Sequence, residues 1–139
     1  MNVYVDSSVL LRVILGEPHR LSWWPRIEVA VSSELIRLEC LRTIDRARIQ
    51  FQLADEAVSQ HRADALELIE SINLLPLAAP VLERAADPYP TSIGSLDALH
   101  LASALLIRDQ HDGLVFATHH QALGIAARSM GFAVEGIQR

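Results

Sequence analysis

The chain has 139 residues, close to the size of one compact domain and long enough to bury a real core. Half of the residues are hydrophobic and 21% are charged, which excludes a disordered chain, and a formal net charge of −5 excludes nucleic-acid affinity built on bulk positive charge. The longest apolar runs fall short of the roughly 20 residues a bilayer span needs, and the strand-like Asn2-Val3-Tyr4-Val5 leaves no room for a signal peptide, so the expectation is a single cytoplasmic domain over residues 1–139 with no membrane contact.

In chain order, "NVYV" reads as a short buried strand and "SSVLLRVILG" as a helix broken by Gly16, Glu17 and Pro18. "HRLSWWPR" follows, its two tryptophans suited to core packing or a homodimer contact, or to stacking bases or gripping a partner helix. "IEVAVSS" gives a second strand, and Ser32 or Ser33 caps the long helix "ELIRLECLRTIDRARI". The single cysteine, Cys40, lies inside that helical pattern, which rules out a disulfide framework or a thiolate cluster and fits a small core residue. "ADEAVSQHRADALELIESI" is an amphipathic helix, "INLLPL" a third strand and "PVLERAAD" a short helix opened by proline. "GSLDALHLASALLI" is a helix apolar or small on nearly every side, with Asp97 in its first turn. A strand "GLVFAT", a helix "HQALGIAARSMG" closed by Gly131 and a last strand near "FAVEGI" complete the chain.

Strands alternating with helices imply an α/β fold, a parallel, doubly wound sheet of about five strands with helices on both faces. Such a fold places its ligands at the carboxyl ends of the strands. Asp6 follows the first strand directly, Thr118 closes the fourth, and Asp97 reaches the same edge if its helix begins there. Glu39 points out of a largely apolar sector beside Leu38 and Cys40. Each has an ordinary alternative: Asp6 as a turn or helix cap, Asp97 as a helix-end charge with Ser95 as the cap, Glu39 in a surface pair with Arg42. Together they make a case for a cation, because carboxylates gathered in one pocket repel unless a positive charge sits among them. Oxygen ligands of this kind suit Mg²⁺ or Mn²⁺. His100, one turn after Asp97, and Ser103 beyond it form a polar stripe, His100 serving either as a satisfied structural histidine or as an aid in orienting Asp97 or substrate. Every basic residue is arginine, and Arg26, Arg37, Arg42, Arg46 and Arg48 crowd one segment; this suits bidentate phosphate contacts, and a genomic base bias would give the same composition.

The four segments "VYVDSSVLL", "SSELIRLECLR", "SLDALHLASAL" and "FATHHQALGIAARSMGFAV", in this order and over essentially the whole chain, resemble the motifs of PIN-domain ribonucleases, nearest to the VapC toxins of VapBC toxin–antitoxin pairs. The resemblance implies a PIN-like fold and a metal-dependent endoribonuclease that leaves a 5′-phosphate and a 3′-hydroxyl. It also implies inhibition by a VapB-like antitoxin laid into or across the active-site groove, and a homodimer. Carried over by residue, Asp6, Glu39 and Asp97 match the family's acidic positions that bind Mg²⁺ or Mn²⁺ and carry catalysis. Ser8 falls where a small polar side chain supports the first aspartate. The family's Thr-x-Asp is here Thr118-His119-His120, so His120 replaces the fourth acid, with His119 beside it as the other candidate for that pocket. Arg42 and Arg46 are candidate RNA contacts. Two other readings stand beside this one: a PIN-fold module that binds antitoxin but has lost catalysis, for which the missing acid speaks, and a haloacid dehalogenase-like phosphatase, against which Ser8 speaks because a second aspartate belongs there.

Overall fold

The computed structural model describes residues 1–16 and 24–138. Strand β1 (Asn2–Val5) leads into helix α1 (Ser7–Ile14), a single 3₁₀ turn (Trp24–Arg26) and strand β2 (Val29–Ser33). Helices α2 (Leu35–Phe51) and α3 (Asp55–Glu70) precede β3 (Asn73–Leu75), and α4 (Ala79–Ala86) and α5 (Ser95–Ile107) precede β4 (Val115–Ala117); α6 (Gln121–Ser129) and β5 (Ala133–Glu135) end the fold.

The five strands are all parallel, in the order β3-β2-β1-β4-β5. Alternation along β1 separates two cores, since successive side chains of a strand point to opposite faces. Val3 and Val5 join Leu10, Ile36, Cys40, Ile44 and Ile69 from α1, α2 and α3 on one face. Tyr4 joins Leu101, Ala104, Leu123 and Ala126 from α5 and α6 on the other, its ring stacked 5.2 Å from that of Phe116 in β4. Helix α5 is apolar nearly all round because it is covered nearly all round, contacting β2, α4 and α6.

The chain winds outward from β1 to β3 with helices on one face, then returns to β4 and β5 with helices on the other. The reversal falls between β1 and β4, whose carboxyl ends therefore flank the switch-point crevice where sheets of this kind take their ligands. Ser33 Oγ accepts from the Leu35 amide at 3.1 Å, so one of the two candidate serines does serve the start of α2. Trp24 packs partly buried against the first core; Arg20 and Trp23 lie outside the described residues. No helix among the described residues is long and apolar enough to cross a membrane.

Candidate active site

Asp6 continues the extended backbone of β1 (φ −94°, ψ 176°) as the N-cap of α1, and its Oδ1 accepts the Val9 amide at 3.3 Å. The cap role is met, and the carboxylate has further partners. It is only 1% exposed; Ser8 Oγ donates to Oδ1 and Thr118 Oγ1 to Oδ2, each at 2.6 Å. Those hydroxyls in turn accept the amides of His119 (2.9 Å) and His120 (3.0 Å). Two short relays thus tie the loop after β4 to the carboxylate after β1, across the crevice. A buried carboxylate needs such donors, because leaving water without them costs several kcal/mol.

Glu39 does not pair with Arg42. Its side chain turns inward, 17% exposed, and Oε1 lies 2.5 Å from His100 Nε2. Arg42 points outward, 59% exposed, to Asp45 at 3.2 Å. Asp97 stands in the first turn of α5, whose N-cap is Gly94 with no side-chain bond, so Ser95 is not the cap. Asp97 Oδ1 lies 3.5 Å from Nδ1 of His120, the N-cap residue of α6. That contact is long for a hydrogen bond, and it becomes an ion pair only when the imidazole is protonated.

The imidazole of His120 has its pKa raised above the ordinary 6.5, first by the contact with Asp97, against an opposing effect of burial, and then by the charges of Asp6, Asp97 and Glu39. One imidazole therefore senses all three carboxylates. Cys40 senses two of them: its thiol is pushed up to about 12, mainly by burial and then by Glu39 and Asp6. The His119 ring makes no hydrogen bond to the three acids among the described residues. Its Nδ1 pairs with the Gly136 carbonyl at 2.8 Å, and His120 is the one that faces the acids.

Among the described residues no three His, Cys, Asp or Glu side chains form a ready-made cation cage. Each acid is held by protein groups instead. The donor set nonetheless fits a hard divalent cation: three carboxylates supply only oxygen, and neither Glu39 Oε2 nor Asp97 Oδ2 makes a hydrogen bond within the described residues. Arg42 and Arg46 follow Glu39 by three and seven residues, hence on its face of α2, but Arg46 binds Thr43 Oγ1 (3.1 Å), and Arg42 shares Asp45 with Arg48. Sequence reasoning missed Tyr4, whose hydroxyl lies 2.8 Å from His100 Nδ1; of the two readings of His100, the satisfied buried histidine fits, and its second partner is Glu39 rather than Asp97. A tyrosine in a buried strand and a histidine on an apolar helix each need a polar partner, and that was the available signal.

The PIN domain family model matches residues 3–118. Ribonuclease VapC47 of Mycobacterium tuberculosis (strain CDC 1551 / Oshkosh) is 30% identical over 137 residues, covering 94% of this chain and 93% of that protein. Ribonuclease VapC46 of M. tuberculosis (strain ATCC 25618 / H37Rv) is 28% identical over 135 residues, covering 95% of each. In three dimensions the fold resembles a chain of a toxin-antitoxin complex from Klebsiella pneumoniae, with TM-score 0.61, 14% identity and coverage of 99% of this chain and 97% of that one. These matches leave the phosphatase alternative without support. The chain belongs to the PIN domain family, among its VapC ribonucleases.

Proposed function

We propose that this chain is the toxin of a type II toxin–antitoxin pair, an endoribonuclease acting in the cytoplasm that hydrolyses RNA phosphodiester bonds with Mg²⁺ or Mn²⁺ held by Asp6, Glu39 and Asp97. The observation that carries the reading is geometric: Thr118 bonds the Asp6 carboxylate and the His120 amide, the His120 ring lies 3.5 Å from Asp97, and Glu39 bonds His100, one turn from Asp97 on α5. A divalent cation supplies Lewis acidity there, easing deprotonation of a water and offsetting charge on the phosphodiester. The protein's own part is to fix the acids in direction, with Asp6 withdrawn from bulk water. Ser8 and Thr118 fix Asp6, and His120 borders Asp97. Arg42 and Arg46, exposed on α2 one and two turns beyond Glu39, contact the RNA backbone next to the site. The VapC relatives and the toxin-antitoxin fold neighbour support a VapB-like antitoxin as partner. Exposed Leu38 and Leu96, each adjacent to a site acid, give such a segment apolar surface to cover. Pairing into a homodimer is part of the same reading.

The test is cleavage of RNA by purified protein in EDTA, Mg²⁺ and Mn²⁺, for the parent chain and Asp97→Asn. Cleavage is expected only with metal and only in the parent, with Asp97→Asn folded as judged by circular dichroism. Full cleavage by the variant would remove Asp97 from the ligand set. One feature of the sequence favours the second reading, an inert antitoxin-binding module: in Thr118-His119-His120 a histidine takes the place of the acid in the motif it resembles. Absence of cleavage in either metal, with antitoxin binding retained, would select it.

A further inference from the structure

We infer that His100, fixed by Tyr4, is the positioning residue for Glu39: it holds Oε1 through Nε2–H and leaves Oε2 as the oxygen available to a cation. This rests on the metal-dependent reading above and adds to it a device that the acidic motifs do not contain.

Glu39 and Asp97 come from helices on opposite faces of the sheet, and Glu39 reaches α5 at His100, one turn after Asp97. A glutamate in that place has three torsions to lose, and fixing such a side chain costs up to about 2 kcal/mol. His100 removes that freedom. It is 1% exposed, so both ring nitrogens depend on protein partners, and it has one for each: Tyr4 OH at 2.8 Å and Glu39 Oε1 at 2.5 Å. A carboxylate only accepts, so the proton of that second bond belongs to Nε2. The far side is constrained as well. Ser32 Oγ gives its proton to the Val5 carbonyl and Ser103 Oγ gives its proton to the Leu99 carbonyl, so neither hydroxyl beside the phenol has a proton to offer it. Burial keeps the Tyr4 phenol protonated, its pKa raised far above the ordinary value. Tyr4 O–H donating to Nδ1, and Nε2–H donating to Glu39, satisfies both ring nitrogens, the phenol and Oε1.

Tyr4 and Asp6 are two residues apart on one extended segment. β1 therefore places two of the three acids, Asp6 through its own backbone and Glu39 through a phenol and an imidazole. If His100 only filled space, a leucine of similar bulk would serve. If it positions Glu39, the loss must appear in the cation affinity.

The experiment uses the full chain and Mn²⁺ alone, titrated by electron paramagnetic resonance, for the parent, His100→Leu, His100→Gln and Tyr4→Phe, with thermal unfolding as the check on folding. His100→Leu is expected to raise the Mn²⁺ Kd about 10–100-fold, the usual effect of losing a hydrogen bond that orients a ligand. His100→Gln, whose amide N–H reaches the same oxygen, recovers most of that loss, and Tyr4→Phe gives a smaller one. The half-saturating Mn²⁺ for RNA cleavage shifts in parallel. A folded His100→Leu that binds Mn²⁺ like the parent overturns the inference; if that variant fails to fold, parent-like affinity in both His100→Gln and Tyr4→Phe together with a ring signal indifferent to Glu39→Gln does so. That ring signal comes from nitrogen NMR of the metal-free chain, which is expected to show the Nε2–H tautomer shifting in Glu39→Gln. It also separates the two proposals: a parent chain that binds no Mn²⁺ defeats the metal-dependent reading, while a ring shift in Glu39→Gln still upholds the hold of His100 on Glu39.

Discussion

His120 stands where the motif resemblance leads one to expect an acid, and its surroundings decide what that change does. Three carboxylates stabilise the imidazolium, so in chelator its NMR titration midpoint is expected above 6.5 and lower in Asp97→Asn, where the first cause of the shift is gone. A midpoint unmoved by that substitution would break the link. The sign for activity follows. Below the raised pKa the ring is a cation among the acids and opposes a divalent ion; above it the ring is neutral, an acceptable ligand for Mn²⁺ and a poor one for Mg²⁺. Cleavage is therefore expected to fall as pH drops through the His120 midpoint and to favour Mn²⁺. His120→Asp restores an anionic oxygen ligand and is expected to raise the Mg²⁺-supported rate relative to Mn²⁺. An unchanged ratio of the two rates would place His120 outside the metal site.

The elements around the crevice are bound to one another through Asp6, and this makes the loop after β4 unusually sensitive. Gly136 has φ +101°, and a Cβ added there would stand 2.4 Å from the Thr118 carbonyl oxygen. A strained backbone angle alone costs about 1–3 kcal/mol, and overpacking costs a similar amount, so Gly136→Ala is expected to lose at least about 2 kcal/mol in urea unfolding. Thr118→Val keeps the shape but strands the His120 amide and removes one donor to Asp6, for an expected loss of about 1–3 kcal/mol. Unfolding midpoints matching the parent would show that the relays are not formed in solution. Most of these elements were legible from local signals: the five strands, α5 with Asp97 in its first turn, and α6 closed by Gly131 all follow from periodicity and end residues. The Glu39–His100 contact was not. It joins residues 61 apart from opposite faces of the sheet, and nothing in the neighbourhood of Glu39 competes with Arg42, one turn away, as a partner.

At the scale of the whole molecule, alternating strands and helices specify the class of fold, but strand order is not written in any local pattern. The order β3-β2-β1-β4-β5 is what brings Asp6 and Thr118 to the two sides of one crevice. Net charge then sets how RNA reaches it. With a formal charge of −5, the surface as a whole repels a polyanion, and the arginine group on α2 is partly spent, since Arg42 and Arg48 both engage Asp45. Few counterions are therefore released on binding. For a single strand the slope of log affinity against log salt is about −0.7 per phosphate neutralised, and a shallow slope near −1 is expected in EDTA, with weak affinity. In the proposed site Mn²⁺ would change the balance by setting a positive charge among Asp6, Glu39 and Asp97, next to the scissile phosphate. A non-cleavable RNA analogue is expected to bind more tightly with Mn²⁺ than in EDTA for the parent chain, and this gain is expected to vanish in Asp97→Asn, while Arg46→Ala lowers affinity equally with and without metal. Fluorescence anisotropy across a salt series measures all of these. Tight binding indifferent to chelator, with a steep salt slope, would move the phosphate anchor from the acids to the arginines of α2.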